Sequence, residues 1–220
     1  MQKSRPSKTP PSKRTGRPAR QVRIIGGQWK RTPLPVLDVE GLRPTPDRVR
    51  ETVFNWLNHL LGGEWHDVNC LDLFAGTGAL GFEAASRGAA KVMMVEDNVG
   101  AVRQLEANRE KLNAAQVRIL RGDALSMATR LAASTDGDAN ARFQVIFLDP
   151  PYHQDWLAKL LPLCARLLAT GGLVYAEAEM ALDSEMPPVW LDGWNVIRSD
   201  KAGMVFYHML QRKTLSEFQA

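Results

Sequence analysis

A chain of 220 residues, 45% hydrophobic and 24% charged, can bury a sizeable core and has an ordinary globular composition. No apolar run approaches the roughly 20 residues that a membrane span needs. The N-terminus also lacks the apolar core of a signal peptide, so we expect a cytoplasmic protein. Two cysteines and four scattered histidines fit no metal-ligand spacing, so no metal site is expected.

The positive charge is concentrated at the N-terminal end. Residues 1–31 contain ten Lys and Arg and no acidic residue, whereas the other 18 basic and 24 acidic residues leave 32–220 with a net charge of −6. Residues 1–21 are rich in Pro and Ser and have almost nothing to bury, which predicts a disordered basic arm. Such an arm favours a polyanionic partner. A tail that only keeps the protein soluble is the alternative.

The segment 22–64 is predicted to form an N-terminal extension that begins with a hairpin. Val22–Gly27 and Leu34–Leu37 have the apolar character and the flanking turn residues of two short paired strands. Trp29, Lys30 and Arg31 lie between these strands. The hairpin would therefore present an aromatic ring and two cations on its connection.

A helix is predicted next, from Pro46 to about Leu61. Proline is favoured in the first turn of a helix, and apolar residues then recur at helical spacing until two glycines end the pattern. Thr45 or Asp47 is expected to cap the start of this helix. Most of its apolar face should belong to the core.

From 65 to 212 strands and helices alternate regularly, which predicts one domain with a parallel sheet covered on both faces. The last two strands are predicted to close the sheet as a hairpin that turns near 200–203, and 213–220 remains as a tail. The predicted strands are 68–74, 91–95, 117–120, 143–148, 173–177, 194–199 and 204–211, and the predicted helices are 79–87, 98–112, 124–132 and 154–168. The fold class is α/β, with a doubly wound, Rossmann-like sheet of seven strands.

A glycine-rich turn follows the first strand of this domain. Gly76, Gly78 and Gly81 fit the spacing of the dinucleotide fingerprint, and a helix start beside them offers free N–H donors. A tight strand–helix turn without a ligand is the alternative for so short a motif. Asp72 distinguishes two kinds of ligand. Its carboxylate would repel a pyrophosphate and would favour a cationic group.

A second motif, Asp149-Pro150-Pro151-Tyr152, follows the apolar strand 143–148. Two consecutive prolines cannot donate ladder hydrogen bonds, so the strand must end here. The result is a rigid corner that carries a carboxylate, carbonyl groups and an aromatic ring. Because ligands bind at the carboxyl ends of the strands in open parallel sheets, the corner is a candidate site.

These motifs together resemble a known class of enzyme. Asp-x-Phe-x-Gly-x-Gly at 72–78, followed by Asp-Pro-Pro-Tyr at 149–152, resembles the amino-group methyltransferases that use S-adenosylmethionine. Upstream, VRIIGGQW at 22–29 and LRPTPDRVRETVFNWL at 42–57 are similar to the bacterial RsmD family. The resemblance covers about 22–211. It implies the methyltransferase variant of the doubly wound fold and methylation of the N2 amine of one guanine in small-subunit (16S) ribosomal RNA.

The resemblance also implies a site for S-adenosylmethionine at the strand ends. Glu96 ends the second strand, where a carboxylate can accept hydrogen bonds from both ribose hydroxyls. Asp123 ends the third strand, where the family's acidic residue meets the adenine amine, and Ala124 is beside it. Arg43 and Thr45 lie in the segment that the family uses to cover the cofactor. The expected cofactor contacts are Arg43, Thr45, Asp72, Phe74, Gly76, Gly78, Glu96, Asp123, Ala124 and Asp149.

The corner at 149–152 is expected to be catalytic through Asp149, Pro150, Pro151 and Tyr152. Asp149 and the Pro150 carbonyl can accept the two N–H bonds of the guanine amine and so aim its lone pair at the methyl carbon. Tyr152 can stack on a base that is flipped or splayed from its helix. Asp149 is also expected to take the proton late in the reaction.

The expected partner is ribosomal RNA, with the assembled small subunit supplying part of the recognition, and a monomer is expected. The residues expected to bind RNA are Arg23, Trp29, Lys30, Arg31 and Arg48. Two alternatives stay open from the motifs alone. One is an amine methyltransferase that acts on DNA or on a protein amide. The other is a protein without this activity on the same fold, either an RNA-binding or ribosome-assembly factor or an NAD enzyme.

Overall fold

A computed structural model describes residues 21–36, 45–134, 141–184 and 186–214. Residues 1–20 of the expected basic arm, Arg43 and nearly all of the expected C-terminal tail lie outside these ranges, whereas Gln21, the last residue of the expected arm, belongs to a strand. The strands are β1 Gln21–Arg23, β2 Pro33–Pro35, β3 Asn69–Asp72, β4 Lys91–Glu96, β5 Val117–Arg121, β6 Phe143–Leu148, β7 Leu168–Ala178, β8 Trp194–Ala202 and β9 Val205–Arg212. The helices are α1 Asp47–Leu60, α2 Ala79–Ser86, α3 Val99–Leu112, α4 Ala124–Ser134 and α5 Trp156–Leu167, with a short 3-10 helix at Val189–Leu191.

Within the described ranges, seven strands form one sheet in the order β5-β4-β3-β6-β7-β9-β8. The first five of these strands are parallel, and β9 pairs antiparallel with both β7 and β8. The strand order reverses between β3 and β6, and such a switch leaves a crevice at the carboxyl ends of the strands. The predicted doubly wound sheet with its closing hairpin is confirmed.

Buried apolar side chains cover both faces of the sheet. β6 alternates between them, with Phe147 facing the core under α1 to α3 and Ile146 facing the core under α4 and α5. Phe54 of α1 packs against Phe147 with ring centroids 5.9 Å apart. Because both faces are covered, the central strands read as continuous apolar runs in the sequence.

The N-terminal extension is fastened to this domain through the buried carboxylate of Glu83 in α2. Its two oxygens accept hydrogen bonds from the backbone N–H groups of Ile25 at 2.7 Å and Gly26 at 2.8 Å. Arg87 lies 2.8 Å from the same carboxylate, and the fully buried Arg50 of α1 lies 3.8 Å from it. The predicted β1–β2 hairpin is antiparallel as expected, and its position depends on α1 and α2.

Several element boundaries differ from the sequence-based expectation. Neither Thr45 nor Asp47 caps α1, because Pro46 occupies the N-cap position and no side chain caps the helix. Asp47 instead pairs with Arg50 at 2.6 Å, and Thr45 turns towards the site described below. β7 begins five residues earlier than expected, at Leu168. The described helices contain none with the length and apolarity to cross a membrane.

Candidate functional site

A cavity of about 810 Å³ lies at the carboxyl ends of β3, β4, β5 and β6, where the strand order reverses. The tips of four strands, the starts of α1 and α2, and the corner after β6 enclose it. Eleven of the residues predicted for cofactor binding or catalysis line this cavity: Thr45, Asp72, Phe74, Gly76, Glu96, Asp123, Ala124, Asp149, Pro150, Pro151 and Tyr152. Residues separated by over 100 positions in the chain therefore meet in one space.

The glycine turn shapes one wall of the cavity. Gly76 has a φ of 50° and Gly78 a φ of 77°, in the left-handed region that side chains with a Cβ rarely adopt. Gly76 lines the cavity, but Gly78 is not among the lining residues. A Cβ on Gly78 would lie 2.6 Å from Phe82 and 2.7 Å from Leu105, so this glycine allows α2 to begin against the core. Its role as a cofactor contact stays a prediction.

Asp72 is a buried carboxylate at the tip of β3, with 1% of its surface exposed. Burial and the nearby charge of Asp149 raise the pKa of Asp72 from 3.8 to about 7, and hydrogen bonds from the N–H groups of Phe74 and Gly81 offset part of this rise. Among the described residues, its Oδ1 has no hydrogen-bond partner. A buried carboxylate oxygen without a hydrogen-bond partner favours a ligand that brings positive charge.

Glu96 and Asp123 continue the acidic wall at the tips of the next two strands. Glu96 accepts hydrogen bonds from the N–H of Gly76 at 2.8 Å and of Asn98 at 2.9 Å, so its two oxygens are held in place. Each oxygen keeps a further lone pair for a ligand hydroxyl. Asp123 is exposed, and its Oδ1 accepts from Ser126 N–H at 2.8 Å at the start of α4. This carboxylate therefore has a structural contact besides any ligand contact.

The Asp149 corner forms the opposite wall. Thr45 Oγ1 donates a hydrogen bond to Asp149 Oδ2 at 3.1 Å, which ties the segment before α1 to the corner. Tyr152 is 37% exposed at the rim, where its ring is accessible. Desolvation and the neighbouring carboxylates Glu177 and Asp149 raise the pKa of Tyr152 to about 12, so its hydroxyl stays protonated at neutral pH.

Glu177 and Trp156 are among the lining side chains that sequence analysis did not predict. Leu148 and Ala176 are neighbours across β6 and β7, so Asp149, the first residue after β6, lies beside Glu177 of β7. A glutamate inside the apolar run of β7 was the available signal for Glu177. Trp156 begins α5 and meets the ring of Phe74 edge-on, with ring centroids 5.4 Å apart. The position of Trp156 depends on the path of the loop that joins the corner at 149–152 to α5.

The residues predicted to bind RNA lie outside the cavity lining. Trp29 is half-buried against the core, and its backbone N–H donates to Ser86 Oγ at 2.9 Å, at the end of α2 that is remote from the cavity. Lys30 and Arg31 are exposed on the same turn. Since α2 has eight residues at 1.5 Å each, this turn lies roughly 12 Å from the cavity.

The other two predicted cations are exposed near the start of α1. Arg23 pairs with Asp47 at 3.3 Å, where both side chains are largely exposed. Arg48 lies two residues after Pro46, which lines the cavity. The hydrogen bond from Tyr207 lowers the pKa of the Asp200 carboxyl, and the charge of Arg48 also lowers it. Of the predicted cations, Arg48 is thus near the cavity mouth, whereas Lys30 and Arg31 are not.

Comparison with known proteins identifies the family. A family model described as "Conserved hypothetical protein 95" matches residues 22–211. The ribosomal RNA small subunit methyltransferase D of Escherichia coli (strain K12) is 38% identical over 202 residues, which cover 91% of this chain and 94% of that protein. The protein of the same name from Haemophilus influenzae is 36% identical over 195 residues, 87% of this chain and 94% of that protein.

Solved structures agree with these matches. The structure of the yhhF protein from Escherichia coli has a TM-score of 0.70 and 36% sequence identity, and the match covers 88% of this chain and 98% of that chain. The sequence match, the fold and the coverage of nearly the whole length of both proteins all lead to one assignment. This chain belongs to the conserved hypothetical protein 95 family, the family of ribosomal RNA small subunit methyltransferase D.

Proposed function

We propose that this protein transfers a methyl group from S-adenosylmethionine to the exocyclic N2 amine of a guanine in small-subunit ribosomal RNA. One observation carries the proposal. A buried carboxylate with an unpaired oxygen, Asp72, and the corner 149–152 open into the same cavity. The printed name of the relatives supports the class of RNA and the class of reaction.

The acidic wall suits the cofactor. S-adenosylmethionine supplies, when bound, a methyl group on a cationic sulfonium, and it also carries an ammonium group. Asp72 matches these positive charges, because its Oδ1 is buried and lacks a partner among the described residues. Glu96, oriented by Gly76, would accept hydrogen bonds from the ribose hydroxyls. Asp123 and Ala124, at the start of α4, would border the adenine.

The opposite wall suits an amine. The lone pair of a guanine N2 is delocalised into the ring, so the site must favour a tetrahedral nitrogen. Asp149 and the carbonyl oxygen of Pro150 would accept its two N–H bonds and aim the lone pair at the methyl carbon. The bound cofactor would supply the methyl group, and Asp149 would accept the surplus N–H proton of the methylated amine. Tyr152 would stack on the base.

The exposed cations would bind the RNA backbone outside the cavity. Arg23, Lys30, Arg31 and Arg48 carry no role in the core, and their charges would pair with phosphates. Trp29 has a half-buried ring, so it would contribute a smaller contact surface than an exposed aromatic residue. Since these groups do not line the cavity, they would set the affinity for RNA and leave the chemical step to the corner.

The direct test uses small ribosomal subunits from cells that lack this protein, incubated with the protein and labelled S-adenosylmethionine. The RNA is digested to nucleosides and the labelled nucleoside is identified, with protein-free ribosomal RNA in parallel. We expect label in N2-methylguanosine. Label in another nucleoside would refute the proposed atom. Binding of the cofactor without label in either RNA would refute the proposed substrate and direct the assay to DNA and protein amides.

A variant pair then tests the corner. Asp149→Ala should lower kcat by at least about 100-fold, because one acceptor for the amine and the proton acceptor are both lost. Its affinity for S-adenosylmethionine, measured by calorimetry, should change much less. Asp67→Asn is the control, since Asp67 is an exposed carboxylate before the amino end of β3. An unchanged rate in Asp149→Ala would remove Asp149 from the mechanism.

A second pair tests the proposed RNA contacts. The double variant Lys30→Ala with Arg48→Ala should raise KM for the RNA substrate, leave kcat within about twofold, and reduce the slope of log affinity against log salt by about 2. Lys91→Ala is the matched control, because Lys91 is exposed at the amino end of β4, away from the cavity. If the double variant and the Lys91→Ala control have equal KM values, Lys30 and Arg48 do not contact the RNA.

A further inference from the structure

Four side chains form a hydrogen-bonded chain beneath the corner. Tyr175 donates its hydroxyl to Glu177 Oε1 at 2.7 Å, and Thr45 Oγ1 donates to Asp149 Oδ2 at 3.1 Å. A hydrogen bond between the carboxyl groups of Glu177 and Asp149 joins the two halves. Glu177 is 5% exposed and lines the cavity together with Asp149.

A hydrogen bond between two carboxyl groups requires a proton on one of them, because ionised carboxylates are acceptors only. The group with the higher pKa holds that proton, and here that group is Glu177. Burial and the charge of Asp149 raise the pKa of Glu177 to about 8. Burial raises the pKa of Asp149 from 3.8 to about 6, and hydrogen bonds from Glu177 and Thr45 offset part of this rise by favouring the ionised form.

We propose that Glu177 is a positioning residue whose protonated carboxyl donates to Asp149 and, with Thr45, holds the Asp149 carboxylate ionised and facing the target amine. This inference rests on the proposed function, since the amine is the group that Asp149 would face. Two protein donors fix the orientation of the carboxylate, and its remaining lone pairs are left for the substrate. Loss of the Glu177 proton would place two negative charges in contact and release this orientation.

The groups facing Glu177 come from four segments. Asp149 follows β6, Thr45 precedes α1, and Tyr175 precedes Glu177 on β7 itself. Tyr207 of β9 is the sheet neighbour of Glu177, and the carboxylate of Glu177 raises the pKa of Tyr152 at the rim. The pKa values of Tyr152 and Tyr207 are raised to about 12 and that of Tyr175 well above its ordinary value, so these phenols stay neutral throughout the range tested.

The test compares Glu177→Gln with Glu177→Ala. The glutamine keeps an N–H donor towards Asp149 and cannot ionise, so kcat at pH 7 should remain within about threefold of the wild-type value. The alanine lacks the donor, and kcat should fall by about 10-fold or more with the affinity for S-adenosylmethionine unchanged. Because wild-type Glu177 deprotonates around pH 8, the ratio of kcat for Glu177→Gln to kcat for wild type should rise about tenfold from pH 7 to pH 9.

Two results would overturn the inference: equal losses in the two variants, or a ratio that is constant between pH 7 and pH 9. Infrared titration of the free protein supplies a measurement that does not depend on the substrate. Wild type should show the band of a protonated carboxylic acid at pH 7 that Glu177→Gln lacks, and identical spectra would also overturn the inference. If that band is present but wild type methylates no guanine, the proposed function fails and the protonated Glu177 stands.

Discussion

Replacing Asp72 with asparagine should make the ligand-free protein more stable at neutral pH. The Asp72 carboxyl has an ordinary pKa of 3.8 when unfolded and about 7 when folded. Between these values the folded chain binds more protons than the unfolded chain, so this group's contribution to stability decreases as pH rises from about 4 to about 7. The interval is roughly three pH units at about 1.4 kcal/mol each, which gives about 4 kcal/mol.

The assay is urea unfolding of wild type and Asp72→Asn, followed by tryptophan fluorescence from pH 4 to pH 8. The free energy of unfolding of the variant minus that of wild type should increase by about 4 kcal/mol across this range. Taking the difference between variant and wild type removes the titration of other groups, and following its change with pH removes any constant cost of the buried amide. A flat difference for Asp72→Asn would show that Asp72 is not held neutral by burial.

Three further predictions concern the same carboxylate and the two structural supports of the site. Calorimetry should give a ratio of S-adenosylmethionine dissociation constants, Asp72→Asn over wild type, that falls about tenfold from pH 8 to pH 6. The reason is that wild-type Asp72 becomes protonated around pH 7 and loses its attraction for the cationic ligand. A constant ratio would contradict this. Glu83→Ala should lower the free energy of unfolding in urea by about 3–5 kcal/mol, since Arg50 and two backbone N–H groups each lose a partner. The backbone amides of 21–36 should also exchange faster, and unchanged exchange would mean that α2 does not fasten the hairpin. Gly78→Ala should lower the free energy of unfolding by about 2 kcal/mol or more, seen as a Tm lowered by roughly 4–8 °C. The cause is the φ of 77° at this position and the close approach of a Cβ to Phe82. An unchanged Tm would show that the turn can relax.

The parts of the fold that sequence analysis predicted are those with strong local signals. The apolar run 143–148 and the two prolines after it defined β6 to the residue, and the alternation of strands and helices predicted the doubly wound sheet. Helix boundaries were less accurate where tertiary contacts compete for a side chain. Thr45 has the chemistry of a helix cap, but its hydroxyl bonds to Asp149, 104 residues away in the sequence.

The sequence alone placed Glu96, Asp123 and Asp149 at or just after strand ends, because each lies within three residues of the end of a recognisable apolar strand. Asp72 was predicted inside the strand 68–74, whereas β3 ends at Asp72 in the structure. It could not show that Glu177 meets Asp149, since that contact depends on the register between β6 and β7. Nor could it separate the arginines of the N-terminal half, where Arg50 is fully buried and Arg48 is exposed. Strand ends are encoded locally by hydrophobic pattern and proline, whereas the burial and protonation of a charged side chain depend on packing between distant segments, which only the tertiary structure decided.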